Sequence, residues 1–145
     1  MAIKINTEKR IFTLETKHTM YQMQADTYGV LRHLWYGAKT GCDMSYLQDY
    51  PDVGFSGNPH DAGNDRTYSL DTLPLEYAGA GIGDFRVPAV EAVHADGSCA
   101  LDLRYYSHTV KQGKYAIAGL PALYAGEDEA ETLEVVLRDT ASAVE

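Results

Sequence analysis

Apolar and polar residues alternate in short runs along most of this chain, and small clusters of glycine, proline, asparagine and aspartate separate the runs. Alternation with period two suits a strand with one buried face, because successive side chains point to opposite faces of a sheet. No 11-residue window has a sustained apolar stripe at helical spacing. The pattern therefore predicts an all-β fold.

The first part of the chain predicts an antiparallel meander with short links, because turn residues separate consecutive alternating runs. Gly29 follows Asp26-Thr-Tyr28 and is the residue best suited to a positive φ in such a turn. The four predicted strands are Ile3–Ile5, Ile11–Glu15, Thr19–Gln24 and Val30–Tyr36.

The second half predicts further extended segments around a hairpin turn at Ala95-Asp-Gly97, since Asp-Gly is a strong hairpin signal. Turns are also expected at Thr109–Gly113 and Gly126–Glu131. The extended segments are Ala89–His94, Ser98–Tyr106, Leu120–Tyr124 and Thr132–Arg138. Because no closing element follows the last strand, we expect a fold truncated at its C-terminal end.

A long loop lies between these halves, and turn-forming residues crowd together from Asp49 to Asp65. Loops of this length within a compact domain are more often functional than idle, although a surface insertion remains open. Tyr46, Tyr50 and Phe55 have no periodic core face to join, which makes a contact surface plausible.

Three glycines at 79, 81 and 83 precede Asp84-Phe-Arg86. They allow a positive φ or a close approach to another segment. An aspartate and an arginine that flank an aromatic residue more often have a structural role than a catalytic one. This stretch therefore predicts an ordered loop and does not indicate any particular reaction.

The formal charge of −9, from 21 acidic and 12 basic residues, argues against nucleic acid or an anionic membrane as a partner. The N-terminus lacks an apolar signal segment, and no run approaches the length of a membrane span. We therefore expect a soluble, cytoplasmic protein. Its two cysteines, Cys42 and Cys99, predict free thiols rather than a disulfide framework.

The scattered histidines lack the paired spacing of a metal site, and the sequence predicts neither a metal nor a cofactor. Nucleophile elbows and phosphate-binding loops are missing as well. Asp71, Glu76, Asp84 and Asp102 could in principle form a carboxylate pair, but sequence gives no distances. The residues alone therefore reveal no catalytic centre.

Several long motifs nevertheless resemble, in order and spacing, the N-terminal domain of family 36 glycoside hydrolases, the bacterial α-galactosidases. The resemblance extends from about Ile3 to Asp139, with Ala78 where these enzymes usually have proline. The motifs are His33–Gly37, Asp65–Asp71, Glu76–Tyr77, Gly83–Ala89, Asp102–His108, Gly119–Ala122 and Glu131–Glu134.

The resemblance implies a retaining exo-α-galactosidase acting on melibiose, raffinose and related sugars. Such enzymes have an N-terminal β-supersandwich, a catalytic (β/α)8 barrel and a C-terminal β-domain. Residues 1–145 would then be an antiparallel β-sandwich forming part of the supersandwich. The catalytic aspartates lie on the barrel, so no catalytic residue can be assigned here and the chain alone should be inactive.

Many members of the family are tetramers, and a loop of this domain reaches toward a neighbouring subunit's active site. By position that loop is Tyr50–Ser56, followed by Asp65-Arg66. The resemblance therefore implies substrate-side contacts for Asp52, Phe55 and Arg66. Four other residues are assigned to the scaffold: Asp84, Arg86, Arg104 and His108. Two alternatives stay open: a free-standing carbohydrate-binding β-sandwich, and a purely structural oligomerisation module.

Overall fold

The computed structural model describes residues 2–48, 50–52, 58–122, 124–126 and 129–145. These residues form six β-strands and two single-turn 3₁₀ helices, and they contain no α-helix. The strands are β1 Ala2–Asn6, β2 Ile11–Glu15, β3 Thr19–Ala25, β4 Leu31–Ala38, β5 Leu103–Gln112 and β6 Glu131–Asp139; the 3₁₀ turns are Ser45–Leu47 and His60–Ala62. The all-β prediction is confirmed.

The first four strands form one antiparallel sheet in the order β1-β2-β3-β4, as the predicted meander requires. Gly29 has φ +80° in the turn between β3 and β4, which is the positive φ expected of it. A β-bulge interrupts the register between β3 and β4 at Gln22/Met23. Local alternation and turn chemistry were therefore sufficient to predict this sheet.

A second antiparallel pair, β5 and β6, packs on the meander. Phe12 on β2 is fully buried, with its ring edge-on to His108 and 5.9 Å from the ring of Tyr105. Two hydrogen bonds fix the arrangement, because Tyr105 N donates to Gly29 O at 2.7 Å and Ile3 N donates to the side-chain Oε2 of Glu131 at 2.7 Å. The two sheets thus pack face to face through an aromatic contact.

The second half differs from prediction at residues 89–94 and at both ends of β5. Residues 89–94 form no strand; Val90 makes only an isolated parallel bridge to Gly79. The turn after them does form, with Gly97 N donating to His94 O at 2.9 Å. β5 begins at Leu103 instead of Ser98 and continues through the predicted turn at 109–113, which occurs only at Gly113, with φ +89°.

The reason lies at Leu101, which is completely buried and donates its N–H to Ala80 O at 3.0 Å. The segment before β5 therefore pairs with the glycine-rich stretch, and it meets 89–94 at His94, whose N–H donates to Ser98 O at 2.9 Å. A Cβ at Gly79 would lie 2.2 Å from Leu101 O, so only glycine fits there without a backbone shift. The expected close approach of these glycines is confirmed.

Two hydrophobic clusters support the loop region. One contains Val30, Ala62, Tyr68, Leu70 and Leu73, and the other contains Ile11, Met20, Leu34 and Met44. The first includes residues from the second half of the long loop and a residue next to β4. The loop therefore rests on the meander with its own buried core.

Candidate functional site

The candidate site is the long loop between β4 and the glycine-rich stretch. Asp52 and Arg66 lie on opposite sides of it and form an ion pair, with Arg66 Nε 3.2 Å from Asp52 Oδ1. Their side chains are 54% and 59% exposed, respectively. Phe55, the third residue predicted from the resemblance, lies outside the described residues. The structure thus brings two of the three predicted residues together at the surface.

The arginine side of the loop is held in a compact turn. Asp65 accepts hydrogen bonds from Thr67 N at 3.0 Å and Thr67 Oγ1 at 2.6 Å, and these bonds lower the pKa of Asp65. Asn58 also donates from its side chain to Asp65 O. Arg66 is therefore presented to solvent from a locally ordered backbone.

The outer edge of this turn is tied to β5 by Arg104. Its guanidinium contacts Asp102 at 2.5 Å, donates to Tyr28 O at 3.1 Å and lies 3.9 Å from Asp61 in the second 3₁₀ turn. The side chain of Arg104 is mostly buried. These contacts join the loop to both sheets, so Arg104 has a structural role.

Asp84 and Arg86 form a second structural tie, on the inner side of the same loop. The Asp84 side chain is fully buried and accepts from Arg86 Nε at 2.8 Å, while Arg86 Nη2 donates to Leu70 O at 2.7 Å. Burial would raise the pKa of Asp84, but the hydrogen bonds and charge of Arg86 outweigh it and hold that pKa below its usual value. The pair therefore fixes the glycine-rich stretch against the loop.

One cluster of titratable side chains escaped the sequence analysis. Glu76 accepts from His33 Nδ1 at 2.9 Å and also from the hydroxyl of Tyr21. Burial first, and then the bond to Glu76, raise the pKa of Tyr21 above its ordinary range. His33 and Glu76 stand 43 positions apart, so no spacing rule could have joined them.

That cluster lies at the rim of an apolar groove of about 680 Å³ between the two sheets. Its apolar lining comes from β6 and from residues in and next to both sheets: Leu133, Val135, Val136 and Leu137 on β6, with Met23, Leu31, Val90, Leu101, Leu103 and Val144. Few polar groups enter the groove, so its chemistry suits an apolar protein surface better than a sugar.

Among residues 2–48, 50–52, 58–122, 124–126 and 129–145, no group of three or more histidine, cysteine, aspartate or glutamate side chains is placed to bind a metal. In that same part of the chain, no helix has the length and hydropathy needed to cross a membrane. Cys42 and Cys99 are both free and exposed.

Comparison with known proteins identifies the family. The family model "Glycosyl hydrolase family 36 N-terminal domain" matches residues 29–145. The bifunctional alpha-galactosidase/sucrose kinase AgaSK of Mediterraneibacter gnavus is 52% identical over 145 residues, which are 100% of this chain and 16% of that protein. Alpha-galactosidase AgaA of Geobacillus stearothermophilus is 40% identical over 148 residues, 100% of this chain and 20% of its own length.

Solved structures agree. The galactosidase domain of AgaSK superposes with a TM-score of 0.92 at 52% identity, covering 97% of this chain and 20% of that chain. A complex of G. stearothermophilus AgaA with raffinose gives a TM-score of 0.81 at 41% identity, covering 90% of this chain and 18% of that one. This chain thus spans about a sixth to a fifth of its curated relatives' length, and it belongs to the glycosyl hydrolase family 36 N-terminal domain family.

Proposed function

We propose that this chain is the N-terminal, non-catalytic part of a retaining exo-α-galactosidase that removes terminal galactose from sugars such as melibiose and raffinose in the cytoplasm. The observation that carries the proposal is the match over the whole chain, at 52% and 40% identity, to two proteins named as alpha-galactosidases. A variant of AgaA with two substitutions has also been solved in complex with raffinose.

The catalytic carboxylates belong outside this chain. A retaining glycosidase needs two carboxyl groups roughly 5 Å apart that serve as nucleophile and acid/base. Among the described buried carboxylates, Glu15, Asp26 and Asp84 each lie against a lysine or arginine, as in structural ion pairs. The fourth, Asp139, accepts a hydrogen bond from Ala141 N at 2.8 Å, which suits a turn and not a general acid. The chain itself is therefore expected to hydrolyse no α-galactoside, which an assay with a chromogenic galactoside would check.

The apolar groove is the surface on which the remainder of the β-supersandwich packs. Its lining is aliphatic, and proteins seldom leave such a surface open. The 145-residue chain alone should therefore self-associate. Sedimentation measurements over a wide concentration range test this, and a monomer that stays monomeric throughout would contradict it.

The long loop makes the domain's contribution to the active site. In a homo-oligomer, which the family resemblance implies is a tetramer, Asp52 would accept hydrogen bonds from hydroxyls of a sugar bound in a neighbouring subunit; the resemblance also implies a substrate-side contact for Phe55. The exposed carboxylate and its pairing with Arg66 support this role, because Arg66 can orient Asp52 without burying it. Loops on a rigid β scaffold commonly present binding groups in this way.

The test is Asp52→Ala in the α-galactosidase that carries this domain. Loss of a charged hydrogen bond to a sugar should lower kcat/KM by about ten- to a hundredfold. Melting temperature and assembly should hardly change, because an exposed ion pair contributes roughly 0–1 kcal/mol.

Glu134→Ala is the matched control. It removes a carboxylate that is 46% exposed from an ion pair with Lys111, at 2.9 Å, on the other sheet. Equal kinetic effects of the two substitutions, or a loss of stability with unchanged kcat/KM for Asp52→Ala, would show that the loop is not part of the site.

A further inference from the structure

The carboxylate of Asp26 lies directly beneath the loop that carries Asp52 and Arg66. Asp26 is almost completely buried in the turn between β3 and β4. Its Oδ1 accepts hydrogen bonds from Tyr28 N and Val30 N, both at 2.9 Å. The turn alone therefore fixes the direction of this side chain, whatever the loop does.

The second oxygen of the same carboxylate faces the loop. Asp26 Oδ2 accepts a hydrogen bond of 2.5 Å from the hydroxyl of Tyr68, and Arg32 Nε lies 3.3 Å from it. The Arg32 guanidinium also lies 6.0 Å from the centre of the Tyr68 ring. A buried carboxylate needs hydrogen bonds and a countercharge, and this arrangement supplies both.

Tyr68 is well suited to hold the loop. It is 7% exposed, and its ring packs edge-on against Tyr28 at a centroid distance of 4.7 Å. Burial first, and then the bond to Asp26, raise the pKa of Tyr68, so the phenol stays protonated and donates at neutral pH. Its position is therefore set by both packing and a charged hydrogen bond.

Each residue of the Asp52–Arg66 ion pair lies close in sequence to a tyrosine that packs in or against the hydrophobic cluster beneath the loop. Tyr68 follows Arg66 by two positions, and Tyr50, two positions before Asp52, packs against the same hydrophobic cluster. Two residues span at most about 7 Å of backbone, so each residue of the ion pair is held within that distance of a tyrosine that packs beneath the loop.

We propose that Asp26, with Tyr68 and Arg32, positions the Asp52–Arg66 pair for its contact with substrate, an inference that rests on the substrate-side role proposed above for the loop. An exposed ion pair by itself contributes little to the stability of the loop that carries it. A misplacement of about 1 Å in a binding group can cost roughly a hundredfold in rate. Asp26, Tyr68 and Arg32 are positioning residues: they touch no substrate and act through the loop.

Tyr68→Phe in the α-galactosidase that carries this domain tests the inference, since it removes the hydroxyl and keeps the ring. We expect kcat/KM to fall by about three- to thirtyfold. Tyr105→Phe is the matched control, because it removes a similar phenol bond, to His108 Nδ1 at 2.6 Å, on the other sheet. Its kcat/KM should remain within twofold of the parent enzyme, on the order expected for a site without coupling.

Coupling between Tyr68 and Asp52 distinguishes a positioning role from a purely structural one. The double variant Tyr68→Phe/Asp52→Ala should lose no more activity than Asp52→Ala alone. Once the Asp52 carboxylate has been removed, a change at Tyr68 can no longer displace it from the substrate. Hydrogen exchange should rise in residues 58–68 of the Tyr68→Phe enzyme and remain unchanged in β1 and β2.

The outcomes separate the two proposals. If Asp52→Ala lowers kcat/KM but Tyr68→Phe does not, or if the two losses multiply, only the positioning role is overturned. Equal losses in Tyr68→Phe and Tyr105→Phe would overturn it as well. If Asp52→Ala has no effect, the substrate-side role of the loop fails first, and the positioning role fails with it.

Discussion

Two aspartate–arginine pairs in this domain have the same chemistry and opposite surroundings. Asp84 is completely buried beneath Arg86, whereas Asp52 and Arg66 are both more than half exposed. The buried pair joins two segments of backbone, because Arg86 also donates to Leu70 O. The exposed pair faces solvent. Burial, not residue type, thus separates a structural pair from a candidate binding pair.

Arg86→Ala is expected to have the largest effect on stability. It leaves the Asp84 carboxylate buried without its countercharge, so the free energy of unfolding should fall by about 3–5 kcal/mol. Arg66→Ala, at the exposed pair, should change it by no more than about 1 kcal/mol. Urea denaturation of the chain at low concentration measures both values.

The double variant Arg86→Ala/Asp84→Asn controls for the cause. Removing the buried charge as well should restore part of the lost stability, since a neutral amide costs less to bury than an unpaired carboxylate. No recovery in the double variant would mean that packing, not charge, carries the effect.

The pH dependence of the free energy of unfolding should also distinguish Arg86→Ala from the parent chain. In the parent chain Arg86 holds the pKa of Asp84 below its ordinary value of about 3.9, so the pair's contribution is present above that pH and is lost as the pH falls through the lowered pKa. In Arg86→Ala only the backbone N–H of residue 86 still opposes the effect of burial, so the pKa of Asp84 should be higher than in the parent chain. The stability difference between parent and Arg86→Ala should therefore narrow as the pH falls from 7 toward 4; a constant difference in denaturation experiments would contradict this.

An alkaline titration should reveal the anchor beneath the exposed pair. Burial and the bond to Asp26 raise the pKa of Tyr68 above the unfolded value of about 10. Its contribution to stability is therefore fully present below pH 10 and is lost as the pH rises through the raised pKa. Tyr68→Phe should lose less stability than the parent between about pH 10 and 11, as denaturation at each pH would show.

Salt should have the smallest effect, and it should act on one pair only. The coupling energy of Asp52 and Arg66 in a double-mutant cycle should be below about 1 kcal/mol and should vanish in 1 M NaCl, where the screening length is about 3 Å. The coupling of Asp84 and Arg86 should persist, because a buried carboxylate is screened much less. Equal salt sensitivity would remove the distinction between the pairs.

The sequence by itself determined the local elements of this domain. Alternating residues identified the four strands of the meander, and turn chemistry placed Gly29 at a positive φ. The glycine-rich stretch was correctly expected to approach another segment closely, as Gly79 does at Leu101. These features depend on steric and hydrophobic preferences of neighbours in the chain, and a sequence displays such neighbours directly.

Only the tertiary structure decided which distant groups meet. Tyr68 and Asp26 are 42 positions apart, and nothing in their spacing predicts a shared hydrogen bond. The segment 89–94 alternates as a strand should, yet it has no strand as a partner among the described residues. Alternation shows which face of a segment can be buried, but hydrogen-bond partners and burial depend on the packing of the whole chain. The anchor beneath the loop and the apolar groove therefore became visible only once the sheets were assembled.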